Sequence, residues 1–155
     1  MARRLDIVCQ VAGLRPDRPG LRRLLRLLDA QTEWPVPTGS IAVALVTEVV
    51  CSHLHAAHFG DASVTDVMTF PGDAADAHAG DIVICPAVAQ RAARRYRRDF
   101  SAEVALYLVH GWLHLAGLTD HTPAGARAMR RAERRLLARA RAAGALPCLS
   151  PPAAD

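Results

Sequence analysis

Residues 101–116 form a helix-length stretch that is apolar on nearly every side, through Val104, Ala105, Leu106, Leu108, Val109, Trp112, Leu113 and Leu115. A helix of this kind has no face to give to water and must be packed around by other elements. It is shorter than the roughly 20 residues that a membrane span needs. The rest of the chain is therefore expected to build a core around it. Two histidines, His110 and His114, break its apolar surface.

Positions four apart on a helix lie one above the other, so His110 and His114 can aim their rings at one point. Gly117 follows, a residue that tolerates the positive φ at which a helix end turns back. His121 can then return to the same point. Three neutral imidazoles around Zn²⁺ leave a fourth position for water, whose pKa can fall to about 7 at such a site. A lone histidine on an apolar helix is usually a hydrogen-bonded core residue, but a core has no use for three adjacent imidazoles. A structural zinc would close its fourth position with Cys or His, and the nearest preceding cysteine, Cys85, belongs to no CxxC pattern. The expectation is one open zinc site at His110, His114 and His121; another divalent ion would also suit imidazole.

At 155 residues, with 51% hydrophobic and 22% charged, the chain reads as one soluble globular domain over 1–145, followed by a disordered Pro-containing tail over 146–155. Cys9, Cys51, Cys85 and Cys148 are scattered without pairing motifs, as in a reducing cytosol. No apolar run has signal-peptide or membrane-spanning length. A cytoplasmic protein without a membrane partner is expected. All nineteen basic residues are Arg and the net charge is +4, which favours an anionic partner such as phosphate.

Strands are expected at Leu5–Val11, Ile41–Val46, Val64–Phe70 and Asp81–Cys85. Helices are expected at Gly20–Ala30, from a Thr47 cap to His58, from Pro86 to Asp99, from a Ser101 cap to Ala116, and from Thr122-Pro123 to Ala143. The small-residue stretch Asp73–Gly80 reads as a loop with His78 exposed. This order gives an α+β fold, a single domain with a small mixed four-stranded sheet, about five helices and the histidine helix at its centre.

Three segments in order resemble the YbeY family of bacterial rRNA maturation factors. Thr65-Asp66-Val67-Met68-Thr69-Phe70-Pro71 is similar to that family's T-D-V-L-S-F-P strand, and Gly80-Asp81-Ile82-Val83-Ile84-Cys85-Pro86 to its G-D-I-V-I-S-P strand. His110 to His121 resembles its H-G-x-L-H-L-x-G-Y-D-H helix and turn. The resemblance, over roughly residues 40–121, implies a metal-dependent endoribonuclease specific for single strands, acting in maturation of the 16S rRNA 3′ end and in ribosome quality control. Its implied partners are single-stranded RNA, rRNA and the ribosome.

The chain departs from the family pattern at three places. Six residues rather than five separate His114 from His121, so strict spacing puts Asp120 at the third ligand position; the retained Asp-His pair favours His121. Phe59 stands where the family's L-N-x-x-Y-R segment has its Arg, and Cys85 replaces a Ser.

Zinc peptidases of the H-E-x-x-H type carry a general base at the position filled here by Gly111. Proton removal must come from a phosphate oxygen or from Asp66, Asp81 or Asp120. The first two, at strand starts, more often satisfy backbone amides, and Asp120 can instead orient an imidazole. Gly111 and Phe59 together motivate a second reading, a non-catalytic ribosome-assembly factor stabilised by a metal. Arg91, Arg94, Arg95, Arg97 and Arg98 on one helix, and Arg127, Arg130, Arg131 and Arg134 on the last, are candidate phosphate contacts, although such runs are usually solvated faces. His53, His55 and His58 have spacings that do not bring three rings to one side of a helix.

Overall fold

The structure, a computed structural model, describes residues 1–153. Four strands and five helices follow one another as β1 (Leu5–Cys9), α1 (Arg18–Ala30), β2 (Ser40–Leu45), α2 (Glu48–Phe59), β3 (Val67–Pro71), β4 (His78–Ile84), α3 (Pro86–Tyr96), α4 (Phe100–Leu115) and α5 (Pro123–Ala142). The sheet order is β1-β2-β4-β3. β1, β2 and β4 run parallel, and β3 pairs antiparallel with β4. The α+β domain with a mixed four-stranded sheet is therefore as expected.

Alternation along the strands divides the interior into two unequal cores. Ile41, Val43, Leu45, Ile82 and Ile84 join the main core with Leu21, Leu24, Leu25 and Leu28 of α1 and with α4 and α5. Met68, Val83, Cys85 and Val46 point the other way, into a small cluster closed by Cys51 of α2. In α4, Val104, Leu108, Val109, Trp112 and Leu113 are fully buried, and each such side chain contributes about 1.5–3 kcal/mol relative to exposure. This helix is the central element its composition demands.

Several boundaries differ from expectation for local reasons. The cap of α4 is Asp99, whose carboxylate accepts from the Ala102 amide at 3.0 Å. Ser101 lies one residue inside the helix and serves the chain end instead: its hydroxyl donates to the Leu149 carbonyl at 3.0 Å and accepts from the Leu149 amide at 2.8 Å. The segment from Leu146 is consequently not a free tail as far as it is described. Leu149 is buried, and Ser150 bridges Arg15; Ala154 and Asp155 lie outside the described residues. β4 starts earlier than expected, at His78, because the Ser40 hydroxyl meets His78 Nδ1 at 2.9 Å and Asp81 meets His78 Nε2 at 3.0 Å. That leaves His78 half-buried rather than in an exposed loop. Among the described residues no helix is long and apolar enough to cross a membrane.

Candidate metal centre

One turn of α4 separates His110 from His114, and their rings meet edge-on with Nε2 atoms 2.9 Å apart. The opposite nitrogen of each ring is held from outside. His110 Nδ1 donates to Glu133 of α5 at 2.6 Å, and His114 Nδ1 donates to the Leu118 carbonyl at 3.0 Å. A carbonyl can only accept, and the carboxylate also takes a proton, so both rings carry hydrogen on Nδ1 and a lone pair on Nε2. Two lone pairs at that distance repel unless a cation lies between them. The donor set therefore fits a proton or a divalent metal at the point both rings face.

Asp120 completes the group. Its carboxylate oxygens lie 3.6 Å from His110 Nε2 and 3.7 Å from His114 Nε2. His110, His114 and Asp120 place one ligand atom each within 4.8 Å of one another, a set that would hold a metal. His121, the third ligand expected from the sequence, stands outside this group; with His114 and Asp120 it lines an adjacent cavity of about 300 Å³. The return of the chain depends on Gly117, at φ +99, with the Leu118 amide bonded back to the Leu113 carbonyl at 3.0 Å. That bond ends α4 in a tight reverse turn.

Burial alone would lower the pKa of His110. The hydrogen bond and charge of Glu133 outweigh it, with the charges of Asp120 and Asp66 added, and the net shift is upward. The site is thus tuned to accept positive charge, whether a proton or an ion.

Gly111 has a packing reason. A Cβ there would come within 2.6 Å of Ile82 Cγ2 and 3.2 Å of Thr69 Cγ2, so this side of α4 lies against the sheet. A carboxylate at 111 would have to displace Ile82 of β4 and Thr69 of β3, so its absence says nothing against hydrolysis. Asp66 accepts from the Thr65 hydroxyl and the Val67 amide, and Asp81 pairs with His78. Neither lines the cavity; among its described residues the carboxylate is Asp120.

The other histidines do not gather into a second centre among the described residues. His55 lines the cavity beside the site and His58 packs against Phe70. His53 lines a separate hollow with Val49 and Ser52. The arginine runs also part company. Arg91 of α3 pairs with Glu48 and Arg95 lies over Tyr96, whereas Arg97 and Arg98 fall beyond the end of α3, where Arg98 pairs with Glu103. Arg127, Arg130, Arg131 and Arg134 of α5 are exposed and belong to none of the ion pairs among the described residues.

Glu133 is the functional residue that the sequence reading missed. A signal for it exists: it is the lone acid of an Arg-rich helix, and it falls on the inward stripe of Met129, Ala132, Leu136 and Ala140. An acid placed on a buried stripe needs a partner, and His110 is that partner.

Comparison with known proteins places the chain in a family. A family model described as Endoribonuclease YbeY matches residues 18–141. An Endoribonuclease YbeY from Thermobifida fusca is 34% identical over 142 residues, covering 84% of this chain and 90% of that protein. One from Frankia casuarinae is 35% identical over 115 residues, covering 66% of this chain but only 57% of that protein. The solution structure of TM1509 from Thermotoga maritima superposes with a TM-score of 0.59 at 24% identity, over 91% of this chain and 94% of that one. This last likeness is one of fold.

Proposed function

The chain belongs to the endoribonuclease YbeY family, and on that premise we propose that it is a metal-dependent hydrolase of RNA phosphodiesters that works in rRNA processing. Its substrate is single-stranded RNA, its setting the ribosome in the cytoplasm, and its step the maturation of the 16S rRNA 3′ end and late ribosome quality control. The convergence of the His110 and His114 Nε2 atoms and the Asp120 carboxylate beside an open cavity carries this reading.

His110, His114 and Asp120 would hold the ion, with zinc the first choice for two imidazoles and a carboxylate; His121 stands at the cavity wall beside the open side. When bound, the ion supplies positive charge to a phosphoryl oxygen and lowers the pKa of a water at neutral pH. Glu133 and the Leu118 carbonyl fix the two rings so that their lone pairs are presented without reorganisation. Proton removal falls to Asp120 or to a phosphate oxygen of the substrate, and the exposed arginines of α5 supply contacts to the neighbouring backbone phosphates.

Purified protein should cut a single-stranded RNA oligonucleotide, stop when a chelator is added and resume with Zn²⁺. The His114→Ala variant should not cut. Cutting by that variant at the wild-type rate would overturn the proposal. In cells lacking the protein, 16S rRNA with an extended 3′ end should accumulate.

A further inference from the structure

Phe59 is the last residue of α2, which Gly60 ends at φ +70, and it is 55% exposed. A single exposed aromatic is ordinary. This one lines the same cavity as His114, Asp120 and His121, and it is backed by other rings. Its centroid lies 5.4 Å from His55 and 6.0 Å from Phe70, and Phe70 in turn lies 4.8 Å from His58. The remaining aromatics have other duties. Trp112, Tyr107 and Phe100 are buried in the core, Trp34 lies under Arg135, and Tyr96, though exposed, has Arg95 and Arg98 against its ring and lines a different hollow on α3. Phe59 is therefore the large aromatic with a surface free for a ligand at the site.

The cavity lining joins two chemistries: the Asp120 carboxylate with the imidazoles of His114 and His121, and the rings of Phe59 and His55. We propose that Phe59 is a stacking platform for one unpaired base of the RNA strand whose phosphate lies at the His110–His114–Asp120 group. The inference rests on the nuclease reading above and adds to it a base subsite. A nucleotide has the matching halves, an anionic phosphate and a flat apolar base. Unpaired RNA bases are commonly held on aromatic faces, and such stacking accepts every base. The net charge of +4 and the exposed arginines of α5 suit the same ligand. The aromatic cluster on β3 and α2 holds the Phe59 ring in place, so little is lost in ordering it.

The test compares two fluorescently labelled single strands of equal length, one of ordinary RNA and one with abasic ribose linkers, by anisotropy with the wild type, Phe59→Ala and Phe59→Trp. The wild type should prefer the base-bearing strand. Phe59→Ala should lose about tenfold or more of its affinity for that strand, the weight of one stacked base. It should bind the abasic strand as the wild type does, and keep its metal content and melting temperature. Phe59→Trp should restore the preference. Equal binding of both strands by the wild type, or equal loss on both strands in Phe59→Ala, would overturn the platform. A wild type that shows the base preference but cuts no RNA would leave the platform standing and remove the nuclease reading. A nuclease whose strand preference is unmoved by Phe59→Ala would do the reverse.

Discussion

Two helices on opposite faces of the sheet carry histidines, and only one of them builds a site. In α4, His110 and His114 are four apart, and each finds an acceptor for its outer nitrogen, Glu133 for one and the Leu118 carbonyl for the other. In α2, His53, His55 and His58 diverge, one to a separate hollow, one to the cavity rim and one against Phe70. Histidines alone do not make a centre. Spacing aims the rings, and the acceptors behind them decide which nitrogen keeps its lone pair. The α2 side contributes rings to the cavity wall, while the α4 side contributes the candidate metal ligands.

Removing ligands breaks this contrast most sharply. His110→Ala and His114→Ala should each lose bound metal and at least 100-fold in RNA cleavage, whereas His53→Ala should keep both, as elemental analysis and an oligonucleotide assay would show. The same pair of measurements settles the third ligand. Asp120→Asn should lose most of its metal and His121→Ala should keep it. Full metal loss in His121→Ala would return the third place to His121, as the motif alone suggests.

Glu133→Gln sharpens the point about acceptors. The amide can still meet His110 Nδ1 but carries no charge, and substitutions of this kind behind a ligand typically cost about 10- to 100-fold in metal affinity. A matching change on the other face, Asp61→Asn near His55, should leave metal affinity where it was. Competition with a chelating dye measures both.

What was legible in the sequence follows the same division. The strands, the helices and the paired histidines were readable because each is a periodic or local pattern. Residues 101–116 could only be a central helix, and Gly117 could only be a turn. Asp120 and Glu133 were harder, since their roles depend on where two segments meet. A one-residue insertion between His114 and His121 changes which side chain comes round to the rings. Glu133 lies twenty-three residues from its partner in sequence. The chain end differs from expectation for a related reason. Its prolines speak of irregular backbone, but the pairing of Ser101 with Leu149 is a long-range contact that composition does not show.

Glycines give a smaller test of the two faces. Gly111 lets α4 approach the sheet, and Gly111→Ala must displace Ile82 and Thr69. Overpacking of that order costs about 1–3 kcal/mol, and the shift in α4 should also reduce metal affinity. At the end of α2, a Cβ on Gly60 meets nothing within 4 Å, so Gly60→Ala bears only the strain of its positive φ, about 1 kcal/mol. Thermal melts should rank the two. Equal melts with unchanged metal affinity in both would mean that α4 does not depend on that close approach.

The least effect is expected at Cys85, in the small core beneath α2. Burial raises its thiol pKa, while the nearby Val88 and Ala87 amides act the other way by favouring the thiolate. In the unfolded chain a thiol ionises near pH 8.5, while in the folded protein Cys85 stays neutral to higher pH. The unfolded state therefore gains from ionisation first. The stability that this thiol contributes is complete below about pH 8.5 and is lost as pH rises towards the folded value. Cys85→Ser should flatten this alkaline loss, visible in melts between pH 7 and pH 10. Because position 85 caps α3 without a side-chain hydrogen bond, a serine hydroxyl can accept from the same two amides, a gain of about 0.5–1 kcal/mol at neutral pH. Metal affinity should not follow, because this core lies across the sheet from α4; a change in it would show that the two faces are coupled through β4.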